Sequence, residues 1–249
     1  MLTITSRRNP VCIHIKKLGT SNNYRKQTGE FLCDGIKLLE EAIKCGVKIP
    51  IVLTCDSIDF PLSIDTKLYY TDLSLINSIS SLRETQGVLF TCKTPIIPSI
   101  ADITGTHILL DGLQDPGNIG TIIRTAYAFG IKSVMLFGDS ADPYNPKTVR
   151  GSMGAIFRQE IRNVTIDDLN CYKRNQMKII GAALSNDCRD FTETSYNNSV
   201  IAIGNEGRGL SEEIISICDE KIKIPISKEC QSLNAAVAAA IIMWKAGKE

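Results

Sequence analysis

"HILLDGLQDPGNIGTIIRTAYAFG", residues 107–130, is the stretch that decides the fold. It opens with a strand-like apolar run, which breaks into Asp, Pro, Gly and Asn before a helical stretch begins. A continuous apolar run of this length is typical of a strand buried on both faces, as in a parallel sheet. We expect the helix to begin near Thr121, with Asn118 just before it and Arg124 in its first turn.

Arg124 is unexpected in a first turn, because the helix dipole disfavours a cation there. A bound anion would reverse this effect, since the guanidinium and the helix start would both contact it. The position therefore favours a contact between Arg124 and a phosphate over an arginine without a function. Asn118 alone is explained as well by a turn or a cap as by function.

Further apolar runs follow with helical stretches between most of them: "SVMLFG", "KIIGAAL", "SVIAIGNE" and "EKIKIPI". This alternation predicts a parallel α/β domain over residues 106–249. Ligands of such sheets bind beyond the carboxyl ends of the strands. The candidate sites are therefore the five strand exits at 111–124, 138–154, 184–187, 204–211 and 225–234.

Residues 1–95 predict a separate small α/β domain. Apolar residues at helical spacing run from Ile36 to Ile43 and end at Gly46, and "IPIVLTC", "LYYT" and "GVLFTC" are typical of short strands. The proline-containing segment 96–105 is the predicted linker.

The net charge of +1 hides an asymmetry, because residues 1–29 contain no acid. Their cations suit a polyanion, and nucleic acid is the usual one, although a solvated surface explains them equally well. These cations are Arg7, Arg8, Lys16, Lys17, Arg25 and Lys26.

The remaining composition excludes several classes. Nine cysteines without a C-x-x-C pair predict a reducing cytoplasm, and two histidines outside ligand spacing predict no metal site. The longest apolar stretch, "AAVAAAIIMW", has about half of the roughly 20 residues of a membrane span, so no membrane association is expected. A G-x-G-x-x-G fingerprint is absent, which disfavours a nicotinamide oxidoreductase.

Three more stretches carry polar residues at strand exits. "NPKTVRGSMGAIFR", 145–158, is either a phosphodiester-binding loop or an exposed loop. "IGNEGRGLS", 203–211, places Glu206 among glycines, where a carboxylate caps amides or takes part in chemistry. In "IPISKECQSLNAAVAAAIIMW" we expect Ser232 as the N-cap of a helix with Leu233, Val237, Ala240 and Ile241 on one face, which leaves Asn234 unexplained.

Together, "DPGNIGTIIRTAYAFG", "GNEGRGLS" and "IPISKECQSLNAAVA" resemble the three signature motifs of the SpoU/TrmH branch of the SPOUT RNA methyltransferases, in the right order. "KTVRGSMGAIFR" resembles a further stretch of that family, and the N-terminal region is similar to its substrate-binding domain. The resemblance covers nearly the whole chain. It implies transfer of a methyl group from S-adenosylmethionine to a ribose 2′-hydroxyl of structured RNA, 23S ribosomal RNA first and transfer RNA second.

The resemblance also implies a trefoil knot in the catalytic domain, a homodimer and a cytoplasmic location. It assigns chemistry to Asn118, Arg124, Arg150, Glu206, Ser232 and Asn234. It assigns cofactor binding to Leu184, Gly204, Asn205, Glu206, Gly207, Ile224, Leu233 and Asn234. Lys147 and Arg158 join the six N-terminal cations as expected RNA contacts. The sequence departs from the family at Lys228 and in "AAVAAA", neither of which removes a residue assigned to chemistry.

A guanidinium stays protonated in proteins, so Arg124 is a poor general base. Our hypothesis is that it holds the adjacent phosphate and stabilises the developing alkoxide. Two rivals stay open at this point. One is an RNA-binding protein without catalysis, and the other is a base methyltransferase with a cysteine nucleophile, for which no Pro-Cys motif is present.

Overall fold

The computed structural model describes residues 2–81, 85–98, 103–184, 187–227 and 229–248. The strands are β1 Leu2–Thr3, β2 Glu30–Asp34, β3 Ile51–Thr54, β4 Lys67–Tyr70, β5 Val88–Lys93, β6 His107–Asp111, β7 Ser133–Phe137, β8 Glu160–Asn163, β9 Lys178–Ala182, β10 Arg189–Asp190, β11 Ser199–Gly204 and β12 Glu220–Lys223. The α-helices are α1 Pro10–Thr20, α2 Asn22–Thr28, α3 Ile36–Lys44, α4 Leu73–Ile79, α5 Pro116–Ala128, α6 Pro146–Gly151, α7 Ile166–Arg174, α8 Glu212–Ile217 and α9 Ala235–Ala246. Short 3₁₀ turns occur at Ala155–Phe157 and Phe191–Glu193.

The chain divides into two compact units. The first comprises Met1–Ile96 with Asp142–Arg158, and the second comprises Ile97–Ala141 with Gln159–Glu249. The segment 142–158, which we placed in the second domain, thus groups with the first unit, while the domain boundaries stay a prediction. Residues 99–102 of the predicted linker and Lys228 lie outside the described residues.

The first unit contains a mixed sheet in the order β1-β4-β3-β5-β2. Strand β5 is antiparallel to both β3 and β2, whereas β1, β4 and β3 are parallel to each other. The three strands predicted here are confirmed, and α3 ends before Gly46, whose φ is +67°. Strand β2 was missed because its "EFLCD" directly precedes the helical spacing of α3 and merges with it in the sequence.

Arg25 belongs to the interior of the first unit. Its side chain is only 5% exposed, its Nε lies 2.7 Å from Asp142 Oδ2, and its Nη1 donates to the Leu18 carbonyl oxygen at 2.6 Å. A guanidinium that is buried and already bonded to a carboxylate and a carbonyl oxygen is not available to an RNA phosphate. The prediction of an RNA contact at Arg25 is therefore wrong. The other five N-terminal cations are exposed: Arg7, Arg8, Lys16, Lys17 and Lys26.

Glu30 predicts a specific pH dependence of stability. It accepts hydrogen bonds from His14 Nε2 at 3.0 Å and Lys93 Nζ at 2.8 Å. Burial alone would raise the pKa of Glu30, but the bonds and charges of His14 and Lys93 outweigh burial and lower this pKa from 4.5 to about 2. A lowered carboxyl pKa stabilises the fold fully above pH 4.5, and this contribution is lost as the pH falls from 4.5 to about 2.

We expect Glu30→Gln to lower the free energy of unfolding by about 1–3 kcal/mol at pH 7, because the charge of Lys93 loses its partner. The difference between wild type and variant shrinks as the pH falls through the same window. Urea unfolding at pH 7 and at pH 3 measures both quantities. An equal difference at the two pH values would contradict this account.

The second unit contains a seven-stranded sheet in the order β10-β12-β9-β11-β6-β7-β8, and every pairing in it is parallel. The predicted parallel α/β fold is confirmed. Strands β8 and β10 were missed because β8 reads as polar "EIRN" and β10 has two residues. Both lie at sheet edges, where the surroundings demand less apolar sequence. Strands β11 and β6 are central neighbours, so the loops after them meet at one edge.

Helix α9 packs against α5 in this unit. Its buried residues are Ala235, Ala236, Ala239, Ile242, Met243 and Ala246. The predicted apolar face was wrong, because Val237 is 48% exposed and Ala240 and Ile241 are only partly buried. A helix that is apolar nearly all round gives no clear period from which to choose the buried side. None of the helices in the described ranges is long and apolar enough to cross a membrane.

Candidate active site

Helix α5 starts earlier than the sequence predicted. Asp115 is the N-cap, its Oδ1 accepts from Gly117 N at 2.9 Å, and Pro116 is the first helical residue. An Asp followed by Pro is a favourable start, because the carboxylate satisfies a free amide and proline lacks one. Asn118 is therefore the third residue of the helix and Arg124 the ninth. The placement of Arg124 in the first turn was wrong, and the dipole argument does not apply to it.

Three side chains from separate stretches form a chain of hydrogen bonds. Asn118 Nδ2 donates to Glu206 Oε1 at 2.7 Å, and Asn234 Nδ2 donates to Asn118 Oδ1 at 3.1 Å. The orientation of the Asn118 amide follows from its partners, since an ionised carboxylate only accepts. The segments that follow β6, β11 and β12 thus meet at one point, and each contributes one polar side chain.

The loop after β11 is a rigid turn. Asn205 and Gly209 exchange two backbone hydrogen bonds of 2.9 Å, and Asn205 Oδ1 accepts from Gly207 N and Arg208 N at 2.9 and 3.2 Å. Asn205 Nδ2 also donates to the Gly112 carbonyl oxygen at 2.8 Å, which ties the turn to the end of β6. Glu206 is held by this framework, so its carboxylate is positioned before any ligand arrives.

Asn234 is the N-cap of α9. Its Oδ1 accepts from Ala236 N at 2.9 Å and Val237 N at 3.3 Å, while its Nδ2 reaches Asn118. Ser232, which we predicted as the cap, lies two residues before it and is exposed. One amide both starts the helix and joins the site, which explains a residue that helix propensity alone leaves unexplained.

A cavity of about 730 Å³ opens beside this chain of bonds. Its apolar lining comes from the ends of the strands and the following loops, and includes Ile203, Leu210, Ile222, Ile226 and Leu233. Small-molecule cofactors bind in cavities of about 300–1,000 Å³ with mostly apolar walls and a few polar groups. The size and lining therefore fit a small-molecule cofactor such as the S-adenosylmethionine that the sequence resemblance implies.

Most of the residues expected to bind a cofactor line this cavity: Leu184, Gly204, Asn205, Glu206, Gly207, Ile224 and Leu233. Ser232, expected to act in chemistry, lines it too, whereas Asn234 does not. Three cations that were not predicted also line the cavity: Arg208, Lys221 and Lys223. Arg208 lies within "GNEGRGLS", so its position two residues after Glu206 was the available signal.

The remaining expected site residues are not among those that line the cavity. Arg124 is exposed on α5, six residues beyond Asn118, which is about 9 Å along the helix and about 120° around it. Arg150 is exposed on α6 of the first unit, near Asp34. Burial raises the pKa of Asp34, and the positive charge of Arg150 opposes this increase. In that unit Lys147 is exposed, and Arg158 Nη2 lies 2.7 Å from Glu41 Oε2.

In the part of the chain that the structure describes, His, Cys, Asp and Glu side chains form no group of three or more that is placed to hold a metal ion. All nine cysteines are free thiols. The side chains at the site are two amides, a carboxylate and cations around a largely apolar cavity.

Residues 105–244 match the SpoU rRNA Methylase family, and residues 9–89 match the MRM3-like substrate binding domain. The chain belongs to the SpoU family. It is 32% identical to the 23S rRNA (guanosine(2553)-2′-O)-methyltransferase RlmP of Bacillus subtilis over 98% of each chain. It is 28% identical to the 23S rRNA (uridine(2479)-2′-O)-methyltransferase of Streptomyces viridochromogenes, over 92% of this chain and 86% of the relative.

Solved structures agree with the fold. The AdoMet-bound rRNA methyltransferase from Sinorhizobium meliloti superimposes with a TM-score of 0.89 at 27% identity, over 99% of this chain and 97% of that one. The SpoU methyltransferase AviRb from Streptomyces viridochromogenes, in complex with AdoMet, gives 0.86 at 26% identity, over 97% and 98%. The fold is that of the SPOUT methyltransferases.

Proposed function

We propose that the protein transfers a methyl group from S-adenosylmethionine to a ribose 2′-hydroxyl of ribosomal RNA, with 23S ribosomal RNA as the substrate and transfer RNA as the second choice. The observation that carries this proposal is the hydrogen-bonded chain Glu206–Asn118–Asn234 next to the 730 Å³ cavity. The names of the relatives and the AdoMet-bound neighbours support the reaction and the cofactor.

S-adenosylmethionine supplies an electrophilic methyl group on its sulfonium. The apolar residues Ile203, Leu210 and Leu233 of the lining would hold the adenine, and the backbone of the turn 204–209 would supply polar contacts to it. Binding of this kind needs few charged side chains, because the shape of the apolar lining and the main-chain polar groups recognise the adenine.

The chain's own residues have to align the ribose oxygen with the methyl carbon and remove the hydroxyl proton. Asn118 is held from both sides, by Glu206 and by Asn234, and so presents a fixed polar surface at the cavity edge. Arg124 holds the phosphate next to the target ribose and stabilises the developing alkoxide, because a guanidinium contacts phosphate through two parallel bonds. The proton leaves through that phosphate or through water as the new O–C bond forms and the C–S bond breaks.

Eight exposed cations of the first unit are the proposed RNA contacts: Arg7, Arg8, Lys16, Lys17, Lys26, Lys147, Arg150 and Arg158. Lys17 Nζ lies 5.3 Å from the centre of the Tyr24 ring, which adds an aromatic face to this basic surface. Phosphate contacts of this kind position an RNA without reading its sequence.

Methyl transfer from labelled S-adenosylmethionine to unmodified ribosomal and transfer RNA tests the proposed function. The matched control is Asn118→Asp, which keeps the shape of the side chain but places a second carboxylate against Glu206. We expect label in 23S ribosomal RNA with wild type and none with Asn118→Asp. If the wild-type protein transfers no label to RNA and does not bind the cofactor, the result would point instead to an RNA-binding protein without catalysis.

We also propose a homodimer. Tyr127 on α5 and Val237 and Trp244 on α9 are each 48–49% exposed, and they lie on two helices that pack together. Large apolar side chains on neighbouring helices are typical of an association surface. Sedimentation is expected to give twice the chain mass of 27.3 kDa at micromolar concentration, and a monomer would contradict the dimer.

The trefoil knot and the cytoplasmic location are proposals of the same kind. The knot is supported by the fold similarity to the SpoU methyltransferase AviRb. The cytoplasmic location is supported by nine free thiols and by the proposed RNA substrate.

A further inference from the structure

Arg208 is a cation without a role in the reaction described above. The backbone of Arg208 is fixed, because its amide donates to Asn205 Oδ1 at 3.2 Å and the turn closes between Asn205 and Gly209. Its side chain lines the cofactor cavity and is exposed. A long cation on a fixed backbone loses less freedom on binding than one on a mobile loop.

The guanidinium of Arg208 reaches over the end of β6. Its Nη2 lies 3.8 Å from the position that a Cβ at Gly112 would take, and Gly112 has a φ of +66°. Among the described residues no carboxylate is bonded to Arg208: Asp111 accepts from Ser211 N at 2.6 Å, and Glu206 accepts from Asn118. A guanidinium at a cavity wall that no protein carboxylate neutralises is suited to a ligand carboxylate or phosphate.

The other two cations of the same wall are differently placed. Lys221 Nζ lies 2.7 Å from Asp187 Oδ2, so its charge is already compensated. The charge of Lys223 acts on Asp190. Arg208 is therefore the best placed of the three cations for an anionic group of the cavity's own ligand.

We propose that Arg208 binds the α-carboxylate of the methionine part of S-adenosylmethionine and so sets the orientation of that part in the cavity. This inference rests on the proposed function. The carboxylate is the one anionic group of this cofactor, and Glu206, two residues before Arg208 in the same turn, presents the opposite charge for its α-ammonium group. The turn thus offers one charge of each sign to a zwitterion.

Isothermal titration of the full chain with S-adenosylmethionine and with decarboxylated S-adenosylmethionine tests the inference, since the two probes differ only in the carboxylate. We expect wild type to bind S-adenosylmethionine about tenfold more tightly than the decarboxylated probe, as for one charge-assisted bond. Arg208→Gln should bind the two probes equally, with the affinity that wild type shows for the decarboxylated one. Arg189→Gln, an exposed arginine outside the cavity, should behave like wild type.

The inference would be overturned if Arg208→Gln still bound S-adenosylmethionine more tightly than the decarboxylated probe. It would also be overturned if Lys223→Gln, and not Arg208→Gln, lost this difference. Unchanged cofactor affinities with weakened binding of ribosomal RNA in Arg208→Gln would assign the residue to an RNA phosphate and also overturn it. Equal binding of both probes by wild type would end the inference and leave the proposed function standing. If wild type bound neither probe, both the inference about Arg208 and the proposed function would be contradicted.

Discussion

Gly204→Ala is expected to weaken cofactor binding, with the affinity for S-adenosylmethionine falling by about 100-fold. A methyl group at Gly204 would lie 2.2 Å from Gly209 C and 2.3 Å from Leu210 N, where the backbone of the turn approaches β11. The turn has to move to admit it, and overpacking of this kind costs about 3 kcal/mol. If the strain destabilises the conformation that binds the cofactor by this free energy, the affinity falls by about 100-fold.

Gly207→Ala is the matched control, because it adds the same methyl group to the same turn. A Cβ there would meet only Asn205 Oδ1, at 3.7 Å. Titration with S-adenosylmethionine and thermal unfolding of both variants separate the two positions. Near-wild-type affinity in Gly204→Ala would show that the close approach of the turn to β11 does not shape the cofactor site.

Arg124→Lys is expected to lower kcat/KM for methyl transfer by on the order of 10²–10³, the typical effect of removing one donor from a developing oxyanion. Lysine keeps the charge but cannot form two parallel bonds to phosphate. Arg124 is exposed and is not among the residues that line the cavity, so its replacement should leave the affinity for S-adenosylmethionine unchanged. The measurement is a steady-state assay with the RNA substrate, together with a cofactor titration.

The control for Arg124→Lys is Arg174→Lys, an exposed arginine in the last turn of α7. It should leave both quantities at the wild-type level. Substantial activity in Arg124→Lys would favour a lysine-compatible role, such as that of a general base, over the phosphate grip proposed here.

The parallel sheet of the second unit was predictable because its central strands are long and apolar. "HILLD" and "SVIAI" are buried on both faces, so their sequences are continuous apolar runs, and turn residues mark the end of each strand. The same logic located the turn at Glu206 and the loop before α9. Spacing alone, however, gave no reason to bring Asn118, Glu206 and Asn234 within bonding distance of each other. That expectation came from the family resemblance.

Other features depend on partners far away in the chain. Arg25 has the same sequence environment as the exposed Lys26, and only the carboxylate of Asp142, 117 residues later, makes it structural. The start of α5 was misplaced because Pro116 and Gly117 look like turn residues, although Asp115 and Pro116 form a good helix start. The polar edge strand β8 carries no apolar period that identifies a strand.

The measurement that tests the central claim most directly is the position of the transferred methyl group. Labelled 23S ribosomal RNA from the wild-type reaction is hydrolysed with alkali, which needs a free 2′-hydroxyl to cleave the adjacent phosphodiester. The account predicts that the label is recovered in alkali-resistant dinucleotides. Label recovered in mononucleotides would place the methyl group on a base and contradict the assignment of this site to ribose 2′-O-methylation.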